Sequence, residues 1–93
     1  MSNLSDTDVQ AIAQKTAKAN HVRYEWIKTD PTVNSAGGET VIITFVLTPG
    51  SSNEIKGEPS ARTVSEIIRE FADAGDERLP IVRYEEKLAT SRS

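Results

Sequence analysis

The side chains best suited to chemistry in this 93-residue chain lie in one short segment, which contains its only histidine and its only tryptophan. His21, Tyr24 and Trp26 would line a pocket if the protein bound a ligand there. A single histidine at the start of a strand forms no recognisable metal site, so a surface or capping role is expected for His21. Large aromatic side chains usually anchor small cores, so Tyr24 and Trp26 are expected to pack beneath the helices.

Carboxylates are the second candidate group, and they are concentrated in the last third of the chain. They are Asp73, Asp76, Glu77, Glu85 and Glu86. Their spacing matches neither a calcium loop nor a pair of catalytic acids, so we interpret them as a solvated acidic rim. The chain has no cysteine, which excludes disulfides, thiol nucleophiles and cysteine-bearing zinc sites. The sequence therefore predicts no catalytic residue, no metal and no cofactor.

A repeated tetrapeptide, Val-Arg-Tyr-Glu, occurs in the first and in the last predicted strand. Antiparallel pairing of the two copies would set Arg23 against Glu85. The same alignment sets Glu25 against Arg83, and each pair would contribute about 0.2–1 kcal/mol. This pairing needs the first strand between the other two, whereas the strongly apolar second strand favours a central place for itself. Both strand orders stay open, as does a chance origin of the repeat.

The first predicted helix covers residues 7–19. Ser5 and Asp8 have the spacing of a capping box, and apolar residues recur at helical spacing after them. Asn20 is the expected left-handed residue at the C-terminal end.

The second predicted helix begins near a capping box, formed either by Thr63 with Glu66 or by Ser60 with Thr63. A broad apolar face follows, and Gly75 ends the helix.

Three strands are predicted from the apolar patterns of residues 21–29, 39–48 and 79–86. The element order α-β-β-α-β predicts one α+β domain over residues 1–93, a two-layer sandwich with both helices on one face of a three-stranded sheet. By element order it equals a ferredoxin-like unit that lacks its first strand. Three segments are expected to be irregular, namely frayed ends at 1–5 and 88–93 and a flexible loop at 49–59.

Two helices cover one face of such a sheet and leave the other face bare. The residues expected on or beside the bare face are Ile27, Ile42, Val46, Arg23, Glu25, Arg83 and Glu85. Exposed apolar patches usually mark contacts, and this domain has little core of its own. The sequence therefore predicts a homodimer or a protein partner that covers this face or an edge strand.

The charge pattern bears on location and on other partners. The net charge is −3 without a basic stripe, which opposes binding of nucleic acid. The first residues lack the basic and apolar regions of a signal peptide, and the longest apolar-rich run, Val41–Leu47, is far shorter than the about 20 residues of a membrane span. A cytoplasmic protein without membrane contact is expected.

The element order and the last strand, Arg78-Leu79-Pro80-Ile81-Val82-Arg83-Tyr84-Glu85-Glu86, resemble bacterial ribosome-binding factor A, a KH-type RNA-binding fold. The resemblance covers residues 6–88 by element order and only the last strand by sequence. It implies RNA binding. The chain departs from that family because one helix stands in place of a kinked helix pair and the basic face is missing.

Together these features predict a small cytoplasmic protein–protein interaction or regulatory module, homodimeric and without catalytic activity. Two alternatives stay open. One is a small dimeric enzyme or ligand-binding domain with a pocket between sheet and helices at His21, Tyr24 and Trp26. The other is a KH-like RNA-binding domain.

Overall fold

In a computed structural model, the chain is described over residues 3–49 and 58–86. Two helices and three strands follow one another in the predicted order and form an α+β domain. They are α1 (Asp6–Ala19), β1 (Tyr24–Val33), β2 (Glu39–Leu47), α2 (Glu58–Asp73) and β3 (Leu79–Glu86). The predicted frayed end at 88–93 and most of the predicted loop at 49–59 lie outside the described residues.

The sheet has the order β1-β2-β3, with β1 antiparallel and β3 parallel to the central strand β2. A short hairpin joins β1 to β2, whereas the return from β2 to β3 runs through α2, as a parallel crossover requires. Of the two strand orders left open by the sequence, this one does not allow the two Val-Arg-Tyr-Glu copies to pair, because β2 lies between them. The apolar side chains on both faces of β2 suit its central position in the sheet.

The β1–β2 hairpin turns at Asn34, whose Oδ1 accepts hydrogen bonds from the backbone N–H groups of Ala36 and Gly38. Gly37 adopts a φ of 88°, which glycine tolerates without a side-chain clash. β1 runs past Pro31, where the sequence pattern predicts its end. An edge strand accepts this proline because one side of its backbone needs no ladder hydrogen bond.

A β-bulge interrupts the pairing of β1 with β2 at Glu25. Tyr24 is level with Leu47 and Trp26 with Val46, so Glu25 is an extra residue inserted between two consecutive positions of the ladder. The extra residue reverses the alternation of side chains, because period-two geometry resumes one position later. Tyr24 and Ile27 consequently share the helix-covered face, while Trp26 points to the other face.

The core lies between the helices and one face of the sheet, with Phe45 at its centre. The ring of Tyr84 stacks on Phe45 at 5.6 Å, and the ring of Tyr24 meets Phe45 edge-on at 6.2 Å. The two tyrosines of the repeated tetrapeptide thus flank the same phenylalanine from opposite strands. The remaining buried members of this cluster are Val9, Ala13, Ala17, Val22, Ile27, Val41, Ile43, Leu47, Ile67 and Phe71.

Both helices end in the same backbone motif. In α1 the N–H of Val22 donates to the carbonyl of Ala17 at 2.8 Å and that of His21 to Lys18 at 3.3 Å, which is the Schellman pattern. The left-handed residue is His21, with a φ of 60°, and not Asn20 as predicted. Gly75 occupies the equivalent position after α2, with a φ of 78°, as predicted.

The helix starts differ in how well the sequence predicts them. The Ser5 hydroxyl accepts the N–H of Asp8 at 3.1 Å, so the predicted cap of α1 is confirmed. α2 begins at Glu58, before both predicted capping boxes, and Thr63 is a buried residue inside the helix. Pro59 suits the first helical turn because no intrahelical hydrogen bond needs its missing N–H.

Candidate functional site

One face of the sheet, called the open face, carries neither α1 nor α2. Its rows each take one residue from every strand. From one end they are Trp26–Val46–Glu85, Lys28–Thr44–Arg83, Asp30–Ile42–Ile81 and Thr32–Thr40–Leu79. None of these residues belongs to the core cluster, whereas Val41, Ile43, Phe45 and Leu47 of β2 all do.

Apolar surface on the open face is concentrated at its corners. Trp26 is 49% exposed and Leu79 is 52% exposed. Val46, which is level with Trp26, is buried, and so are Thr40 and Thr44 on the same face of β2. Trp26 is the most exposed aromatic side chain that the structure describes, and it lies just after the bulge.

Charged side chains of both signs lie between the apolar residues at the corners of the open face. Lys28 Nζ lies 3.3 Å from Glu85 Oε1, and both side chains are about half exposed. An exposed pair of this kind adds little stability, about 0–1 kcal/mol. Within residues 3–49 and 58–86, Asp30 and Arg83 make no salt bridge. The open face therefore carries two cations and two anions and has no net charge.

The placement of the predicted interaction residues is mixed. Ile42, Val46, Arg83 and Glu85 all lie on the open face, as expected. Ile27 does not, since the bulge turns it into the core beside Phe45.

Arg23 and Glu25 stand apart from the open-face set. Arg23 precedes β1, and Glu25 is the exposed bulge residue. Both are separated from β3 by β2, so neither forms the predicted cross-strand pair with Glu85 or Arg83.

Trp26 is the candidate residue that sequence reasoning assigned to the wrong face. Strict alternation from Val22 places it in the core, and the bulge at Glu25 overturns that placement. The adjacent apolar residues Trp26 and Ile27 are the available signal, because two neighbours on a strand cannot both point inward. The carbonyl of Ile27 accepts a 2.6 Å hydrogen bond from Gln10 Nε2 of α1, which ties the strand down just after the bulge.

The three residues predicted as pocket candidates do not converge on one site. His21 is an exposed C-terminal residue of the Schellman motif, Tyr24 packs on Phe45 and Trp26 lies on the opposite face. A groove of about 730 Å³ beside α1 is lined by Tyr24 but by neither of the other two. Of its cations, Lys15 is paired with Glu70 at 2.7 Å.

A buried ion pair ties the N-terminal segment to the turn after α2. Arg78 contacts both carboxylate oxygens of Asp76, with a shortest distance of 2.6 Å, and also donates to the carbonyl of Leu4 at 2.9 Å. The N–H of Leu4 donates back to Asp76. The Asp76 side chain is fully buried, so it is not part of the predicted solvated rim, and Leu4 is held in a segment predicted to fray.

The ionisation of Asp76 follows from these contacts. The side-chain hydrogen bond from Arg78 is the main reason that its pKa falls from 3.8 to about 2. Burial opposes this shift, and backbone hydrogen bonds from Arg78 and Leu4 add to it. The pair has a structural role, because its polar atoms bind one another and the backbone of Leu4.

Among residues 3–49 and 58–86, no three acidic or histidine side chains come together as metal ligands. In the same described part of the chain, neither helix is long and apolar enough to cross a membrane.

Comparisons with models of protein families, with curated proteins and with solved structures find no match to this chain. The geometry and charge of the open face are therefore the basis of the function proposed next.

Proposed function

We propose that this protein is a small interaction module that forms a homodimer through the open face of its sheet. The observation that carries the proposal is Trp26, which the bulge turns outward and leaves half exposed on a face without a helix layer. Tryptophan is among the residues that dominate binding energy at protein interfaces. A neighbouring protein would cover Trp26 and the apolar side chains beside it.

Charge favours a second copy over a strongly charged partner. The open face presents Lys28 and Arg83 together with Asp30 and Glu85, so it has no net charge. A two-fold interface brings the same surface from both subunits together, and a surface of one sign would repel its copy. Balanced charge removes that repulsion and permits cross-subunit pairs.

Sedimentation equilibrium of three variants tests this proposal. Trp26→Lys should weaken dimerisation at least about 10-fold, since it removes the main apolar contact and places a cation there. Ile42→Lys, nearer the middle of the open face, should act in the same direction. The control is Ile68→Lys, which changes a comparably exposed apolar residue, 43% exposed, on α2.

Ile68→Lys should leave the dimer unchanged, and circular dichroism should show all variants folded. A wild-type protein that stays monomeric at millimolar concentration would contradict the proposal. Equal weakening by Ile68→Lys would contradict the assignment of the interface to the open face.

A further inference from the structure

We infer that the two copies pack their open faces with β2 antiparallel to the partner's β2, about a two-fold axis that crosses the strands level with Ile43. This inference rests on the homodimer proposed above. Two identical sheets in aligned face-to-face packing are related by an axis in the plane between them. That axis runs either along the strands or across them, and the charges on the open face distinguish the two arrangements.

An axis along β2 keeps each row opposite itself and exchanges the outer strands. Lys28 would then face the partner's Arg83 at two symmetric places. Like charges brought together in a desolvated interface cost binding energy and suppress the wrong arrangement. Trp26 does not distinguish the arrangements, because it faces the partner's Glu85 here and the partner's Thr32 when the axis crosses the strands level with Ile43.

An axis across the strands keeps β2 opposite β2 and reverses the order of the rows. Centred on the Lys28 row, it sets Lys28 against the partner's Lys28 and Arg83 against its own copy. Centred on the Asp30 row, it opposes two copies of Asp30 and leaves the Trp26 row without a counterpart. Both placements bring like charges together.

An axis placed between those two rows, level with Ile43, brings opposite charges together. The Lys28 row then faces the partner's Asp30 row, so Lys28 meets the partner's Asp30 twice in the dimer. The stem of Arg83 lies over the partner's Ile81, where its methylene groups cover apolar surface. All four rows are covered, and Lys28 lies between its own Glu85 and the carboxylate of the other subunit.

Charge exchange between separately prepared variants tests this register. Lys28→Glu alone and Asp30→Lys alone each place two repulsive pairs in the homodimer and should weaken dimerisation at least about 10-fold. Mixed together, the two variants should form a heterodimer of near wild-type affinity, because both cross-subunit contacts become attractive. Native mass spectrometry of the mixture measures the heterodimer fraction, and the doubly substituted chain should also dimerise.

The possible outcomes distinguish a failure of the homodimer proposal from a failure of the register. A monomeric wild-type protein overturns the homodimer and the register together. If the wild type is a dimer but the two variants form heterodimers only in the statistical proportion, the proposed register is wrong and the homodimer proposal stands. Stronger dimerisation of Lys28→Glu would show that position 28 faces the partner's Arg83, and it would establish the axis along the strands instead.

Discussion

The left-handed backbone of His21 is strained because α1 must end abruptly before β1 begins. A residue with a side chain rarely adopts a φ of 60°, and the usual occupant of this position in a Schellman motif is glycine. His21 thus lies at the C-terminal end of α1, in a position where glycine would carry a smaller conformational cost. The left-handed residue is one position later than predicted, so residue type alone does not show whether Asn20 or His21 takes this conformation.

His21→Gly is expected to raise the free energy of unfolding by about 0.5–1 kcal/mol, because glycine adopts the left-handed conformation without a clash. Ala19→Gly is the control, since it lies two residues away in helical backbone and should lower stability by about 1 kcal/mol. Urea unfolding followed by circular dichroism measures both. A stability loss in both variants would contradict the strain at His21.

The Asp76–Arg78 pair should make stability depend on pH in the acidic range. The pKa of Asp76 is about 2 in the folded protein and near 3.8 in the unfolded chain, so the unfolded chain takes up the proton first as pH falls. The contribution, about 2 kcal/mol, is complete above about pH 5 and is lost as the pH approaches 2.

Asp76→Asn tests that contribution, and Asp73→Asn on the exposed end of α2 is its control. At pH 7 the first variant should lose about 3–5 kcal/mol, because Arg78 is left buried without its carboxylate. Its difference from the wild type should shrink as pH falls toward 2. A difference that is constant between pH 7 and pH 2.5 would show that Asp76 titrates normally.

The β-bulge at Glu25 is the element that decides which face Trp26 occupies. The alternating pattern of residues 22–27 predicts a strand correctly and predicts its inner face wrongly, because a pattern does not record where an extra residue is inserted. The same reasoning explains what was predictable elsewhere. The apolar side chains on both faces of β2 are typical of a central strand, and Gly75 and Ser5 are specific helix-end residues.

Deletion of Glu25 should be tolerated, with a loss of less than about 1.5 kcal/mol, because a regular ladder then places Tyr24 inward, Trp26 outward and Ile27 inward. Deletion of Lys28 is the matched control. This deletion shifts the part of β1 on one side of residue 28 by one position. It should lower the free energy of unfolding by more than about 3 kcal/mol, since core residues move to solvent. Thermal unfolding compares the two deletions, and equal losses would contradict the bulge.

At the level of the whole molecule, α1 and α2 lie on one face of the three-stranded sheet, and neither lies on the other. That consequence was predictable from the element order, and Ile42 and Val46 lie where the pattern predicts. The position of Trp26 at a corner of this face was not predictable, since it depends on the bulge. The buried pair at Asp76 and Arg78 was also missed, because burial of a charged turn residue depends on Leu4 folding back over it.

The central claim is that the open face is buried against a second copy, and the chain's only tryptophan lies on that face. Tryptophan emission of the unmodified protein, recorded over a dilution series together with its mass by light scattering, therefore tests the claim most directly. Emission should shift to longer wavelength as the mass falls from dimer to monomer, with one midpoint for both. A constant emission maximum across a change in mass, or a monomeric mass at every concentration, would contradict it.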